Sequence, residues 1–174
     1  VLTIDPHLHR IKHLSEAIPT DQALALHATT AMSDFIKSHL DDPIIIGPDE
    51  ESLQWVTAIA DPQHWQYSIA NKQRFGDKNV EVTLADINLS KRNIVIVDDI
   101  ASSGRTLEQT VKQLLPQQPL SISIMVTHAF FVDDAIERLN ALNVTNIWSS
   151  DSVLHSTNAF SVIGILAQAA KAQQ

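Results

Sequence analysis

Apolar positions along this chain follow two alternating patterns. Short continuous runs rich in β-branched residues occur at Val1–Ile4, Ile44–Gly47, Asn93–Val97, Leu120–Thr127 and Val144–Trp148. Their length and composition suit strands buried on both faces of a parallel sheet. Between them the apolar spacing changes to three and four. Thr20-Asp21 caps a helical pattern running to about Leu40, with Ala23, Leu24, His27, Ala28, Ala31, Met32 and Phe35 on its inner side, and Asp41-Asp42-Pro43 ends it. Further helices carry Leu53, Trp55, Val56 and Ile59, then Leu107, Val111, Leu114 and Leu115, then Val132–Leu142, and last Ser161–Ala172 with Val162, Ile165, Leu166 and Ala169 turned inward. Trp65–Ala70 and Val80–Leu84 read as antiparallel partners, with the charged stretch Asn71–Lys78 between them. This order predicts an α/β fold. It is three-layered, an open and mostly parallel sheet with helices on both faces and a β-hairpin flap, and ligand binds at the carboxyl ends of the strands.

Composition narrows the classes. At 174 residues, 44% apolar and 18% charged, the chain is long enough for one α/β domain with a proper core. A net charge of −8 argues against sequence-independent binding to nucleic acid. No apolar run reaches membrane-spanning length. With no cysteine, disulfides, thiolate metal sites and thiol nucleophiles are excluded, which fits a cytoplasmic protein. No internal repeat, low-complexity tract or linker stands out.

The chemistry gathers around Asn93–Leu107, NIVIVDDIASSGRTL. A buried strand ends in Asp98 and Asp99, a loop of small residues follows (Ala101, Ser102, Ser103, Gly104), and a helix begins. Strand, small-residue turn and helix aim free backbone N–H groups and a positive helix end at the turn, which suits a phosphate. Two carboxylates beside such a cradle repel a bare polyphosphate but accept hydrogen bonds from ribose hydroxyls or hold a divalent cation. Ribose phosphate therefore fits better than a nucleoside triphosphate. Neither GxxxxGK[ST] nor GxGxxG is present. The alternative is an ordinary turn with Ser102 or Ser103 as N-cap. His7 and His9, after Asp5-Pro6, suit either a solvated turn or a metal or polyphosphate contact from a loop. Only four glycines occur, and Gly47, Gly76 and Gly104 fall in three loops of the proposed site, while Gly164 falls in a helix.

VIVDDIASSGRTL resembles the phosphoribosyl-binding motif of type I phosphoribosyltransferase folds, and most closely that of the ribose-phosphate diphosphokinase (phosphoribosyl pyrophosphate synthetase) family. Pro48-Asp49, Lys72-Gln73-Arg74, Thr127-His128 and the Asp151–His155 stretch match the same family in order. The match covers about the C-terminal half of that two-domain enzyme, so a fragment or excised domain is expected. The resemblance implies Mg²⁺, ATP and ribose 5-phosphate as ligands, and a homo-oligomer as the assembly. It assigns Asp98, Asp99, Ala101, Ser102, Ser103, Gly104, Arg105 and Thr106 to ribose 5-phosphate. His7, Pro48 and Asp49, with His9 and Asp5 beside them, go to ATP or pyrophosphate; His7, Asp49 and Asp98 to the metal. Lys72 and Arg74 become catalytic cations on the transferred diphosphoryl group, and His128 and Asp151 face the sugar-phosphate site. Three departures stand out: Glu50-Glu51 where small residues are usual, Gln73 for an arginine, and Arg105 for a glycine. Two other functions share the motif: a base phosphoribosyltransferase, and a non-catalytic sugar-phosphate-binding homologue.

Overall fold

Alternation along the central strands builds the core, because both faces of the sheet are covered. The computed structural model describes residues 1–8, 14–20, 22–75, 79–83 and 87–173, with the backbone alone for 71–75 and 79–83. In chain order the elements are β1 (Leu2–Ile4), α1 (Leu14–Ala17), β2 (Leu24–Leu26), α2 (Thr29–His39), β3 (Ile44–Gly47), α3 (Leu53–Ala60), β4 (Tyr67–Ile69), β5 (Asn71–Phe75) and β6 (Asn79–Thr83). The remainder are β7 (Asn93–Ala101), α4 (Arg105–Leu114), β8 (Ser121–Ala129), α5 (Ala135–Ala141), β9 (Asn146–Ser150), β10 (Asn158–Phe160) and α6 (Ile163–Ala172).

Six strands form one sheet in the order β10-β9-β8-β7-β3-β4, and every neighbouring pair is parallel. Ile44, Ile46, Ile94, Ile96, Ile122 and Ile124 face one side and pack with Leu107, Val111 and Leu114 of α4 and Leu139 of α5. Ile45, Val95, Val97 and Met125 face the other and meet Met32, Ile36, Trp55, Val56 and Ile59 of α2 and α3. This is the expected three-layer arrangement with helices on both faces. Among the described residues no helix is long and apolar enough to cross a membrane.

Several element boundaries differ from the sequence pattern. Thr20 and its neighbours do not cap a long helix. Leu24–Leu26 is instead a strand that pairs in parallel with β1, and α2 starts only at Thr29. The cause is a contact the local pattern cannot show: the Ala28 N–H at the head of α2 donates to the Asp5 carboxylate at 3.1 Å. Asp21 lies outside the described residues. Tyr67–Ile69 joins the main sheet beside β3, rather than pairing with Val80–Leu84. The hairpin is β5 with β6, in the register Lys72↔Val82 and Arg74↔Val80. β7 does not stop at Val97; its pairing with β8 continues through Asp98↔Val126 to Ala101↔Ala129. A tenth strand, β10, was not legible, and in α6 no side chain is fully buried.

Candidate functional site

β7 and β8 are both nine residues long and outreach β3, so the carboxyl edge of the sheet is stepped. The step forms a cleft of about 660 Å³ lined by His7, the turn Asp49–Glu51, Trp55, Ala70, and the run from Asp98 to Leu107. Ala70 immediately precedes β5, so the hairpin springs from the rim of this cleft.

Asp98 and Asp99 lie near the end of β7 and both line the cleft, with the Asp99 N–H donating to Asp98 Oδ1 at 3.0 Å. Asp99 is buried, and its Oδ2 lies 2.7 Å from Nδ1 of His7. Asp98 is partly buried. Desolvation first, then the negative charges of Asp99 and Asp49, push its carboxyl up from the ordinary 3.8 to about 8. Three carboxyls, Asp49, Asp98 and Asp99, therefore gather where β7 runs on past the end of β3.

The loop after β7 is braced from outside the cleft. Val132 N–H donates to the Ser102 carbonyl at 3.1 Å, and Arg138 Nη2 donates to the Ser103 carbonyl at 2.5 Å. A trans peptide places the N–H groups of Ser103 and Gly104 on the side opposite those carbonyls. Gly104 has φ +67°, left-handed backbone that a side chain would strain, and leads directly into the first turn of α4. The unpaired N–H groups of that first turn and the positive end of the helix face the same loop. Arg138 is itself held by Glu108, whose carboxyl is kept below its ordinary range by hydrogen bonds from Lys112 and Arg138.

The opposite wall is the turn after β3. Gly47 is required there by close approach, since a Cβ would overlap Ser52 Oγ and Ile69 Cδ1. Asp49 caps the short 3₁₀ turn Glu50–Ser52: its Oδ1 accepts from Glu51 N–H at 3.1 Å, while Ser52 Oγ accepts from Asp49 N–H at 3.4 Å.

Of the residues singled out in the sequence, the cleft brings together His7, Asp49, Asp98, Asp99, Ala101, Ser102, Ser103, Gly104, Arg105 and Thr106. Pro48 is buried and does not line it. Asp5 is also turned inward: it is 1% exposed, and its carboxylate accepts from Ala28 N–H, Trp55 Nε1 and Thr127 Oγ1 and pairs with His27 Nδ1. His27 is accordingly a loop residue partnered by Asp5, not an inner helix position. His128 and Asp151 do not face the sugar-phosphate loop. They line a separate groove of about 340 Å³ between β1 and α6. There His128 Nδ1 meets Ser152 Oγ, its Nε2 donates to the Ile4 and Asp5 carbonyls, and Asp151 Oδ1 accepts from Val162 N–H. These partners lie between 11 and 124 residues away in sequence, and the Thr-His and Asp-x-x-x-His patterns do not reveal them. His9 and Gly76 lie outside the described residues, as do the side chains of Lys72 and Arg74; only their strand register is given.

Nothing in the sequence pattern marks Trp55 or Arg138 as part of the site. Trp55 read as a core position and is one, yet it also lines the cleft. Arg138 sits in an ordinary amphipathic pattern, and only its reach to the Ser103 carbonyl marks it out.

Among the described residues no three His, Asp or Glu side chains converge into a ready-made metal site. The donor set is nevertheless hard oxygen, and burial followed by the charges of Asp99 and Asp49 pushes the Asp98 carboxyl up, a burden that a cation would relieve. That fits Mg²⁺, which takes one or two carboxylates and completes its shell with water and substrate oxygens.

Comparison with known proteins agrees with this geometry. The phosphoribosyl transferase domain model matches residues 15–153. The chain is 29% identical to the ribose-phosphate pyrophosphokinase of Thermoplasma acidophilum over 150 residues, covering 84% of this chain and 51% of that protein. It is 32% identical to the ribose-phosphate pyrophosphokinase of Pyrococcus furiosus over 119 residues, covering 66% of this chain and 43% of that protein. The chain thus spans about half the length of the curated relatives it matches. The fold is that of the crystal structure of phosphoribosylpyrophosphate synthetase from Mycobacterium smegmatis, with a TM-score of 0.78, 18% identity, and coverage of 98% of this chain and 57% of that one. With a family model spanning most of its length and a carboxylate pair set beside a phosphate-shaped loop, this chain belongs to the phosphoribosyl transferase domain family.

Proposed function

We propose that this chain forms the ribose-phosphate half of a ribose-phosphate diphosphokinase. The observation that carries the reading is the junction of the Asp98-Asp99 pair with the loop Ser102–Thr106, whose amides and helix end suit a terminal phosphate. Ribose 5-phosphate would place its phosphate in that loop and its 2- and 3-hydroxyls against Asp98 and Asp99. The C1 hydroxyl oxygen then forms a bond to the β-phosphorus of ATP. The bond from that phosphorus to the oxygen bridging it to the α-phosphorus breaks, AMP leaves with the bridging oxygen, and the hydroxyl proton passes to solvent.

Asp98 and Asp49, facing one another across the cleft, are the carboxylates that would hold Mg²⁺, with His7 beside Asp99, and the ion would supply charge that offsets the diphosphoryl group. The pairing of His7 Nδ1 with Asp99 fixes the imidazole at the cleft wall. Lys72 and Arg74, at the root of the hairpin, are the cations we assign to the transferred group. Positioning and electrostatics dominate such transfers, so little covalent work falls to the side chains. Homology to proteins named ribose-phosphate pyrophosphokinase supports the assignment.

The test is AMP release with ribose 5-phosphate, Mg²⁺ and ATP, comparing this chain and the longest product of its gene with Asp98→Asn and Lys72→Ala. Both substitutions should lower turnover at least tenfold, since each removes a charge-assisted contact of about 1.5–3 kcal/mol. Unchanged turnover in both variants would refute the roles. A base phosphoribosyltransferase would consume phosphoribosyl pyrophosphate and a free base without ATP. A non-catalytic homologue would bind ribose 5-phosphate and release no AMP.

A further inference from the structure

The loop after β7 takes its shape from a succession of bonds to one neighbouring segment. The Ala101 carbonyl accepts from the Phe130 and Phe131 N–H groups at 2.9 and 3.0 Å, and the Ser102 carbonyl from Val132 N–H at 3.1 Å. The Ser103 carbonyl accepts from Arg138 Nη2 at 2.5 Å. Three consecutive carbonyls are thus drawn toward residues 130–138, and planar trans peptides send the N–H groups that follow them the other way. Among the described residues neither the Ser103 nor the Gly104 N–H has an acceptor.

The ties at Ala101 and Ser102 run from backbone to backbone, so no change of side chain removes them. The last tie belongs to a side chain, and it falls where the loop most needs one. The Ser103–Gly104 peptide rotates about ψ of Ser103 and φ of Gly104, and glycine resists such rotation least. Turned over, that peptide would present a carbonyl where it now presents an N–H. A donor binds an anion, and an acceptor in its place repels one. Arg138 is itself held from two sides. Its Nε donates to Glu108 Oε2 at 3.0 Å, its Nη1 pairs with Asp134, and Lys112 Nζ holds the other Glu108 oxygen at 2.5 Å. A planar guanidinium pinned in this way has Nη2 left for the Ser103 carbonyl.

We infer that Arg138 is a positioning residue for the terminal phosphate of the substrate. The inference rests on the function proposed above. Arg138 does not line the cleft; it keeps the Ser103–Gly104 peptide turned so that the Gly104 N–H meets the phosphate. Glu108 acts one step further back, by aiming the guanidinium. Without the Arg138 bond the two peptide orientations compete, and the apparent Kd rises by the inverse of the fraction that still points its N–H inward. For a hydrogen bond from a charged donor that is partly open to water, that rise is about tenfold.

Glycine labelled with ¹⁵N tests this at the atom concerned, because the chain has only four glycines and the Gly104 amide is one of four signals. Wild type, Arg138→Met and Glu108→Gln are titrated with ribose 5-phosphate, with calorimetry for the Kd. In wild type the Gly104 amide proton should move downfield on saturation. In Arg138→Met the Kd should rise about tenfold. Its free Gly104 signal should be displaced from that of wild type, while its ligand-bound signal coincides with that of wild type, since the phosphate draws the peptide back. Glu108→Gln should move Kd and the free signal in the same direction by less, and it decides the matter alone if Arg138→Met fails to fold. A Kd within about twofold of wild type, or a free Gly104 signal that does not move, overturns the positioning role and leaves the proposed function standing. So does a Gly104 signal displaced equally in free and bound forms, which means a distorted loop. If wild type fails to bind ribose 5-phosphate, the proposed function and this inference fall together.

Discussion

Replacing Asp98 by asparagine should make the ligand-free protein more stable at neutral and mildly alkaline pH. In the folded chain, burial and the charges of Asp99 and Asp49 raise this carboxyl from 3.8 to about 8. The sign follows from proton linkage. Below about pH 4 the group is protonated in both folded and unfolded states and contributes nothing. Between about pH 4 and pH 8 the unfolded chain ionises while the native one holds its proton, so stability falls as pH rises and stays low above pH 8. The full span corresponds to roughly 6 kcal/mol at about 1.4 kcal/mol per pH unit. Asp98 keeps part of its surface in water, and about half that value, 2–3 kcal/mol, is the working expectation. Asparagine is neutral at every pH and removes the penalty. Thermal melts in EDTA at pH 8 should show Asp98→Asn higher than wild type by about 5–10 °C, with no difference near pH 4. Adding Mg²⁺ should raise the wild-type melting temperature more than that of the variant, because the cation supplies the charge the asparagine no longer needs. A variant that melts lower at pH 8, or a difference that does not change with pH, would show that Asp98 carries no such burden. A stabilised variant with lost turnover is the signature of charge held in place for binding rather than for folding.

Two further changes probe what holds the cleft open. Asp5→Asn keeps the shape of the hub but turns one acceptor oxygen into a donor facing either Ala28 N–H and Thr127 Oγ1 or Trp55 Nε1 and His27. Urea denaturation should register a loss of about 3 kcal/mol, and a loss below about 1 kcal/mol would mean the hub relaxes around the amide. Gly47→Ala forces a methyl into Ser52 Oγ and the tip of Ile69, so the cap at Asp49 must open. A cost of about 1–3 kcal/mol in thermal stability is expected, and a melting temperature unchanged from wild type would contradict the tight turn described above.

The parts of the site legible in the sequence are those in which cause and effect lie within a few residues. Asp98, Asp99 and the loop to Thr106 follow one strand and precede one helix, so their chemistry can be read from a single run. The parallel sheet was legible for the same reason: a run such as Ile44-Ile45-Ile46 needs two apolar faces, and the two cores supply them. What could not be read depends on partners far along the chain. His7 meets Asp99 at a separation of 92 residues, and Asp5 meets Thr127 at 122. An aspartate two positions before a histidine in a loop reads as a fellow ligand, because a charged side chain is ordinarily solvated. Here Asp5 adopts φ +35° and drives its carboxylate into the core, where α2, α3 and β8 each supply a donor.

That inversion has a mechanical consequence. β1 and β2 form a sheet of two strands with three residues each, too little pairing to be stable alone. What ties this small sheet to the large one is the Asp5 carboxylate on Thr127 and the His128 ring on the Ile4 and Asp5 carbonyls. His7 lies two residues beyond that tie, and the tie to β8 brings it within reach of Asp99. The histidines and aspartates that look like ligands therefore divide by direction. Asp5 and His128 fasten the segment from the inside, and His7 and Asp99 are the pair this fastening delivers to the cleft.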